Sequence, residues 1–374
     1  MKTLVHIGMS KSGSTALQNT LAKSRRYLRS KGVLYPDNPR SCPFNNHRLL
    51  VASYRKYDDL PRHIRNRDIY TSGNIAQKTR EFHDCIQRQI RRRKPDCVVL
   101  SSETLFHRIL EDNRDAVRQT YAEFGDNIGF MAYLRRPADH FLSSLQQGLR
   151  ATHRIKTPRA PAFRIVLETY EECFGSRITV RQFHRETLEN GNVIDDFSRH
   201  FLGEYGVGPG RLTAAKFSNE SVSAESMDIL ARYRARFHGD RHNVLSSDTR
   251  SLVVELAAAD RQVGASRPKL RDGVANMIDH SRDDPLWLRD EMGIEFLGFD
   301  YATLEKNGSQ RMRKKDFLLD ELVEIDREKQ VAVLEVLLES EWAASSPKFG
   351  DWVHEVLKAV GGREHSGASV GLEL

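Results

Sequence analysis

The chain has 374 residues, 39% of them hydrophobic and 29% charged, with a formal net charge of +7. These proportions exclude an intrinsically disordered chain, and no apolar run reaches the roughly 18 residues that a membrane span requires. The basic balance favours an anionic partner (a nucleotide, a nucleic acid, an anionic glycan or a membrane surface), although much of such charge is ordinarily solvated surface.

The chain order begins with a short apolar strand, Leu4 to Ile7, followed by Gly8-Met9-Ser10-Lys11-Ser12-Gly13-Ser14-Thr15 and a helix carrying Ala16, Leu17, Leu21, Ser24 and Leu28 on one side. Gly32 ends that helix. Residues 37–72 are mostly polar, and three early prolines argue for loop, with a short helix near His47 to Tyr54. A helix over 74–93 shows Ile75, Thr79, Phe82, Ile86 and Ile90 at helical spacing, and Arg91 to Lys94 suit its negative end. Cys97 to Leu100 reads as a buried parallel strand. A helix near 113–123, a strand from Ile128 to Leu134, a helix from about Ala138, a strand from Ile178 to Phe183 and a helix from Val193 to Leu202 follow. Beyond about 215 the pattern is almost wholly helical.

Strands alternating with helices predict right-handed crossovers and a parallel sheet. The expected fold is therefore α/β: a P-loop-type parallel sheet flanked by helices, with a helical C-terminal part. The expected organisation is a core over 1–220, with 37–72 as a substrate-facing insertion, and a helical extension over 221–374. The cysteines Cys42, Cys85, Cys97 and Cys173 show no CxxC spacing and no histidine at ligand spacing, so reduced thiols and no metal are expected. Met1-Lys2-Thr3 leads straight into a strand and does not read as an export signal, which points to a cytoplasmic protein.

Gly8 to Thr15 stands between a strand and a helix, where backbone N–H groups and the positive helix end make an anion cradle. In the ordinary nucleotide-triphosphate loop, GxxxxGK[ST], a lysine follows the second glycine. Here Gly8, Gly13 and Thr15 keep that spacing, but Ser14 takes the lysine position and Lys11 lies inside the loop. That substitution disfavours a nucleotide kinase. The second alternative, a non-catalytic polyanion-binding protein, would need only the charge and not Lys11; no nucleic-acid-binding motif is visible.

Ser10-Lys11-Ser12-Gly13-Ser14-Thr15 resembles the 5′-phosphosulfate loop, roughly PKSGTT, of sulfotransferases that use 3′-phosphoadenosine-5′-phosphosulfate (PAPS), with Ser10 replacing proline. A second stretch agrees. Those enzymes carry a strand-end arginine and a serine eight residues later that hold the donor's 3′-phosphate, and Arg135 to Ser143 fits that pattern, with Ser144 as the neighbouring register and Pro137 where many carbohydrate sulfotransferases have a proline; the bacterial, carbohydrate-type members are the ones resembled. The resemblance spans about residues 1–220.

It implies a sulfuryl transfer from PAPS to a hydroxyl, with 3′,5′-adenosine bisphosphate (PAP) as product and no metal. Lys11 would neutralise the leaving phosphate, and Ser10, Ser12, Gly13, Ser14 and Thr15 would form its cradle. Arg135 and Ser143 would hold the 3′-phosphate, and Phe183 would flank adenine. For the base, Glu103 stands at the end of the strand that in cytosolic relatives ends in a catalytic histidine; His47, in Asn45-Asn46-His47, is the alternative, and His107 ranks behind both. The acceptor class implied is a glycan or glycolipid, with peripheral membrane contact and oligomeric state left open.

Overall fold

The computed structural model describes residues 1–65, 69–214, 221–310 and 317–361. Its residues group into two compact units. The first comprises Met1–His140, Pro161–Phe217 and Arg282–Ser309; the second comprises Phe141–Ala160, Ser218–Ser281 and Gln310–Leu374. The two are interleaved along the chain.

The first unit is an α/β layer structure. Its elements are β1 (Lys2–Ile7), α1 (Ser14–Lys23), β2 (Val33–Leu34), α2 (Ile75–Arg93), β3 (Cys97–Ser102), α3 (Arg114–Ala122), β4 (Asn127–Leu134), α4 (Pro137–Leu149, which continues into the second unit), α5 (Phe163–Phe174), β5 (Thr179–Gln182) and α6 (Val193–Phe201). The five strands form one sheet in the order β2-β3-β1-β4-β5. Every pairing is parallel, with Val5 opposite Leu100 on one side and Phe130 on the other.

The unalternating apolar strands are explained by burial on both faces. Val5, Ile7, Val98, Leu100, Phe130 and Ala132 face one core with Phe82 and Ile86 of α2. Leu4, Val99, Met131 and Tyr133 face the other with Leu17 and Leu21 of α1 and Phe197 of α6. Crossovers to opposite faces follow from the strand order: β1 connects toward β2 at one edge, whereas β4 connects toward β5 at the other. The chains leaving β1 and β4 therefore diverge and leave a crevice at their C-terminal ends, where open α/β sheets place ligands.

Residues 37–72 contribute to the core. The helical turn Arg48–Ser53 buries Leu49, Leu50 and Val51, and Cys42, Tyr54, Leu60, Ile64 and Tyr70 are buried with them. The segment Arg282–Ser309 adds Leu288, Phe296, Phe299 and Leu304 to the same cluster.

The second unit is helical, with α7 (Ala224–His238), α8 (Ser247–Gln262), α9 (Arg327–Leu338) and α10 (Pro347–Gly361) as its longest helices. Ser223 caps α7 by accepting from the Ser226 N–H, and its hydroxyl donates to Asp260 of α8 at 2.8 Å. Tyr233, Trp342, Phe349 and Trp352 form an aromatic cluster in which Trp342 and Phe349 stack at 4.6 Å. Among the described residues no helix is long and apolar enough to cross a membrane. Cys42, Cys97 and Cys173 are buried, Cys85 is half-buried, and none is paired.

Candidate active site

The loop from Gly8 to Gly13 leaves the central strand β1 and enters α1. It curls around one carbonyl: the Ser12 and Ser14 hydroxyls donate to Met9 O at 2.7 and 3.2 Å. Both side chains are buried. Their hydroxyls, expected on a phosphate, serve the loop itself, and the exposed Thr15 hydroxyl donates to Glu103, so an anion in the loop would meet backbone N–H groups. No side chain caps α1. Its capping position is Gly13, at φ +78°, where a Cβ would lie 2.8 Å from Phe183 and 2.9 Å from Val193. Only glycine suits both the backbone angle and that approach. Lys11 adopts the left-handed region without being glycine, at φ 64°.

Beside this loop is the end of β4. Arg135 Nη1 donates to Lys11 O at 3.1 Å, and its guanidinium lies 5.9 Å from the Phe183 ring centre. Phe183, half-buried just beyond β5, is held by its N–H bond to Leu134 O. The neighbouring α6 is anchored through Asp196, which accepts from Tyr133 Oη at 2.7 Å and from Arg181 Nε and Nη2 at 2.6 and 2.8 Å. Thus Lys11, Gly13, Arg135 and Phe183 are gathered at one strand edge. His140, on α4, meets Ser10 Oγ through Nε2 at 3.0 Å. Ser143 is half-buried one turn beyond His140 on α4, where the chain has passed into the second unit.

At the end of β3, Ser102 is the cap: its side chain accepts from the Thr104 N–H. Glu103 is therefore released from capping. Its Oε1 accepts from Thr15 Oγ1 at 3.4 Å. Burial pushes its carboxyl above the usual range, while Lys11, the Thr15 bond and Arg48 pull it back. Arg48 is fixed by its Nε bond to Asn46 Oδ1 at 2.9 Å and lies 3.9 Å from the Phe44 ring centre.

His47, the alternative base, lies inside the fold. It is buried, its Nδ1 accepts from the Ser101 N–H at 3.0 Å, its Nε2 faces Pro36 O at 3.4 Å, and its own N–H donates to Ser101 O. Burial lowers its pKa to about 3. Both ring nitrogens are committed to fastening the 36–47 segment to β3. His107 bonds Thr104 O through Nδ1 at 2.7 Å and stacks on Tyr54, and burial lowers its pKa to about 4.

Sequence reasoning missed His140, Arg48 and Asp196. For His140 a signal existed: it lies five residues beyond Arg135, and Ser10 is where the loop departs from proline. Asp196 carries no motif, because its partners Tyr133 and Arg181 are 63 and 15 residues away, and Arg48 carries none, because its bond to Asn46 and its contact with Phe44 do not show in sequence that it also acts on Glu103. Among the described residues, no group of three or more His, Cys, Asp or Glu side chains is placed to hold a metal ion. Comparisons with protein-family models, curated proteins and solved structures give no match.

Proposed function

We propose that this chain is a PAPS-dependent sulfotransferase with a P-loop-type core, transferring a sulfuryl group to a hydroxyl of a carbohydrate or glycolipid. The observation that carries the reading is the Arg135 bond to the Lys11 carbonyl at 3.1 Å, which makes one cradle of two motifs 124 residues apart. The strand order, with the anion loop leaving the central strand, fits a P-loop-type sheet.

Sulfuryl transfer resembles phosphoryl transfer in needing little covalent work from the protein and much positioning and charge neutralisation. Lys11 balances charge on the phosphate that leaves. The N–H groups at the start of α1 hold that phosphate, and Arg135 binds the second phosphate of the donor. Phe183 offers a ring face beside Arg135 for adenine. Glu103 accepts the proton of the acceptor hydroxyl, and its upward shift brings its basicity closer to that task. Arg48 and the amides of Asn45 and Asn46 stand on the acceptor side and suit a polyhydroxylated partner. The reading includes a cytoplasmic location and, for a glycolipid acceptor, peripheral contact with a membrane.

Calorimetric titration with PAP, beside ATP with magnesium, tests the proposal. Expected is micromolar PAP binding that falls by about tenfold or more in Arg135→Ala, the scale of a lost charge-assisted contact. Binding of ATP with magnesium and none of PAP overturns it in favour of a kinase-like loop.

A further inference from the structure

Ser10 stands where the resembling loops carry proline. A proline fixes the backbone through its ring. Serine does not, and here its hydroxyl meets His140 Nε2 at 3.0 Å. The loop apex is consequently tied twice to the corner between β4 and α4, through Lys11 O to Arg135 and through Ser10 Oγ to His140. The charges acting on the imidazole are Lys11, from the loop, and Arg135, from the strand end; its own helix adds Asp139, and Arg136 immediately precedes that helix, as near neighbours in sequence. Burial, then Arg135 and Lys11, lower the imidazole pKa to about 4, so it is neutral near pH 7. An anion in the loop would face the same two cations and cancel their effect on the ring.

We propose that His140 is a positioning residue that takes up a proton when the phosphosulfate end of the donor enters the loop, and that Ser10 transmits the change to the bound anion. While Nε2 is unprotonated, the imidazole accepts the Ser10 hydroxyl proton, and Ser10 presents only lone pairs to a ligand. A proton from solvent reverses the bond. The imidazolium N–H then donates to Ser10 Oγ, and the Ser10 O–H turns to donate to a ligand oxygen. One proton is gained from water, and no covalent bond of the ligand changes. In this chain the pair replaces a rigid proline with a grip that tightens on an anion. The inference rests on the reading of Gly8 to Thr15 as a donor-phosphate site.

Nuclear magnetic resonance of imidazole-labelled protein tests it without requiring an acceptor. The His140 signal, identified by its loss in His140→Gln, is followed against pH with and without saturating PAP. The expected result is a rise of more than about two pH units in its midpoint when PAP is bound, because a smaller rise from about 4 would leave the ring neutral at pH 6 and above. In parallel, wild-type affinity for PAP should gain about threefold over His140→Gln between about pH 8 and about pH 6. Glutamine keeps an amide facing Ser10 but cannot be protonated, and the titration of PAP itself is common to both proteins. If PAP binds and the His140 midpoint stays in place, this inference falls and the sulfotransferase reading stands. If PAP binds neither protein, both fall.

Discussion

Lys11 combines an unfavourable backbone with the one cationic side chain inside the loop. A non-glycine residue in the left-handed region costs about 1 kcal/mol, and at φ 64° Lys11 bears that cost. Lys11→Gly keeps the carbonyl that Arg135 grips and removes the strain, so it should unfold at an equal or slightly higher urea concentration, gaining up to about 1 kcal/mol. In the proposed sulfuryl transfer its rate should fall by two orders of magnitude or more, the scale of a lost charge-stabilising group. A variant that turns over normally would remove Lys11 from the chemistry. Glu103 makes a second trade of this kind. Its folded pKa is raised, so its unfolded form releases the proton first as pH rises. Its contribution to stability is therefore greatest below the unfolded pKa and is lost as pH rises through the folded one. Glu103→Gln should be more stable than wild type near pH 7, with a large loss of turnover. The wild-type rate should decline on the acid side at a pH above the ordinary glutamate range. An unchanged rate in Glu103→Gln would exclude it as the base.

At the scale of elements, the strands and helices of the sheet were legible because each carries its own period. The helix over 74–93 is found at Ile75–Arg93, with Ile75, Thr79, Phe82 and Ile86 buried on one side. The helix expected to run unbroken from the loop to Gly32 divides instead at Ser24 into Ser14–Lys23 and Arg25–Ser30. The segment 37–72 reads in sequence as mostly loop with a short helix near His47 to Tyr54, and the helical turn is found at Arg48–Ser53, but Cys42, Leu49, Leu50, Val51, Leu60, Ile64 and Tyr70 are deeply buried. Burial there depends on residues distant in sequence, which no local period records. His47 illustrates the consequence: a histidine in a polar stretch looks available, yet its ring ties the segment to β3. His47→Ala should lower stability by about 1 to 3 kcal/mol, because it leaves the buried Ser101 N–H without its acceptor. The rate per folded molecule should remain close to wild type. Denaturant unfolding and turnover measured on one preparation separate the two effects; loss of rate at unchanged stability would return His47 to the list of bases. Gly13→Ala meets a harder limit, since the added Cβ would press on Phe183 and Val193 at a positive φ. It should lose about 1 to 3 kcal/mol and weaken PAP binding, with Phe183→Leu in the same chain recovering part of the stability. No recovery in the double variant would mean that the backbone angle alone sets the cost.

For the whole molecule, the α/β class was readable from the alternation of elements, and the helical character after 215 from periodicity. The assignment of segments to units was not, because it depends on which apolar faces meet after folding. Leu288, Phe296, Phe299 and Leu304 look in sequence like part of the C-terminal helices, yet all four are buried in the core that contains Val5, Leu100 and Phe130. Their segment, Arg282–Ser309, belongs to the first unit. Gln182, once its amide is turned, donates to Glu295 O at 2.9 Å and accepts from Leu297 N at 2.7 Å, so the segment also closes onto the end of β5. A fragment ending at residue 220 would contain Lys11, Gly13, Arg135 and Phe183 of the proposed donor cradle and still lack this part of its core. Removing four large apolar side chains that are nearly or fully buried forfeits about 1.5 to 3 kcal/mol for each, a sum comparable to the whole stability of an ordinary domain. The 1–220 fragment should therefore be expanded, bind hydrophobic dyes and show no binding of PAP, whereas the full chain binds it. Near-ultraviolet circular dichroism and PAP titration on the two proteins decide the matter. A fragment with a native-like aromatic spectrum and full PAP affinity would mean that residues 282–309 cover the core without being needed to form it.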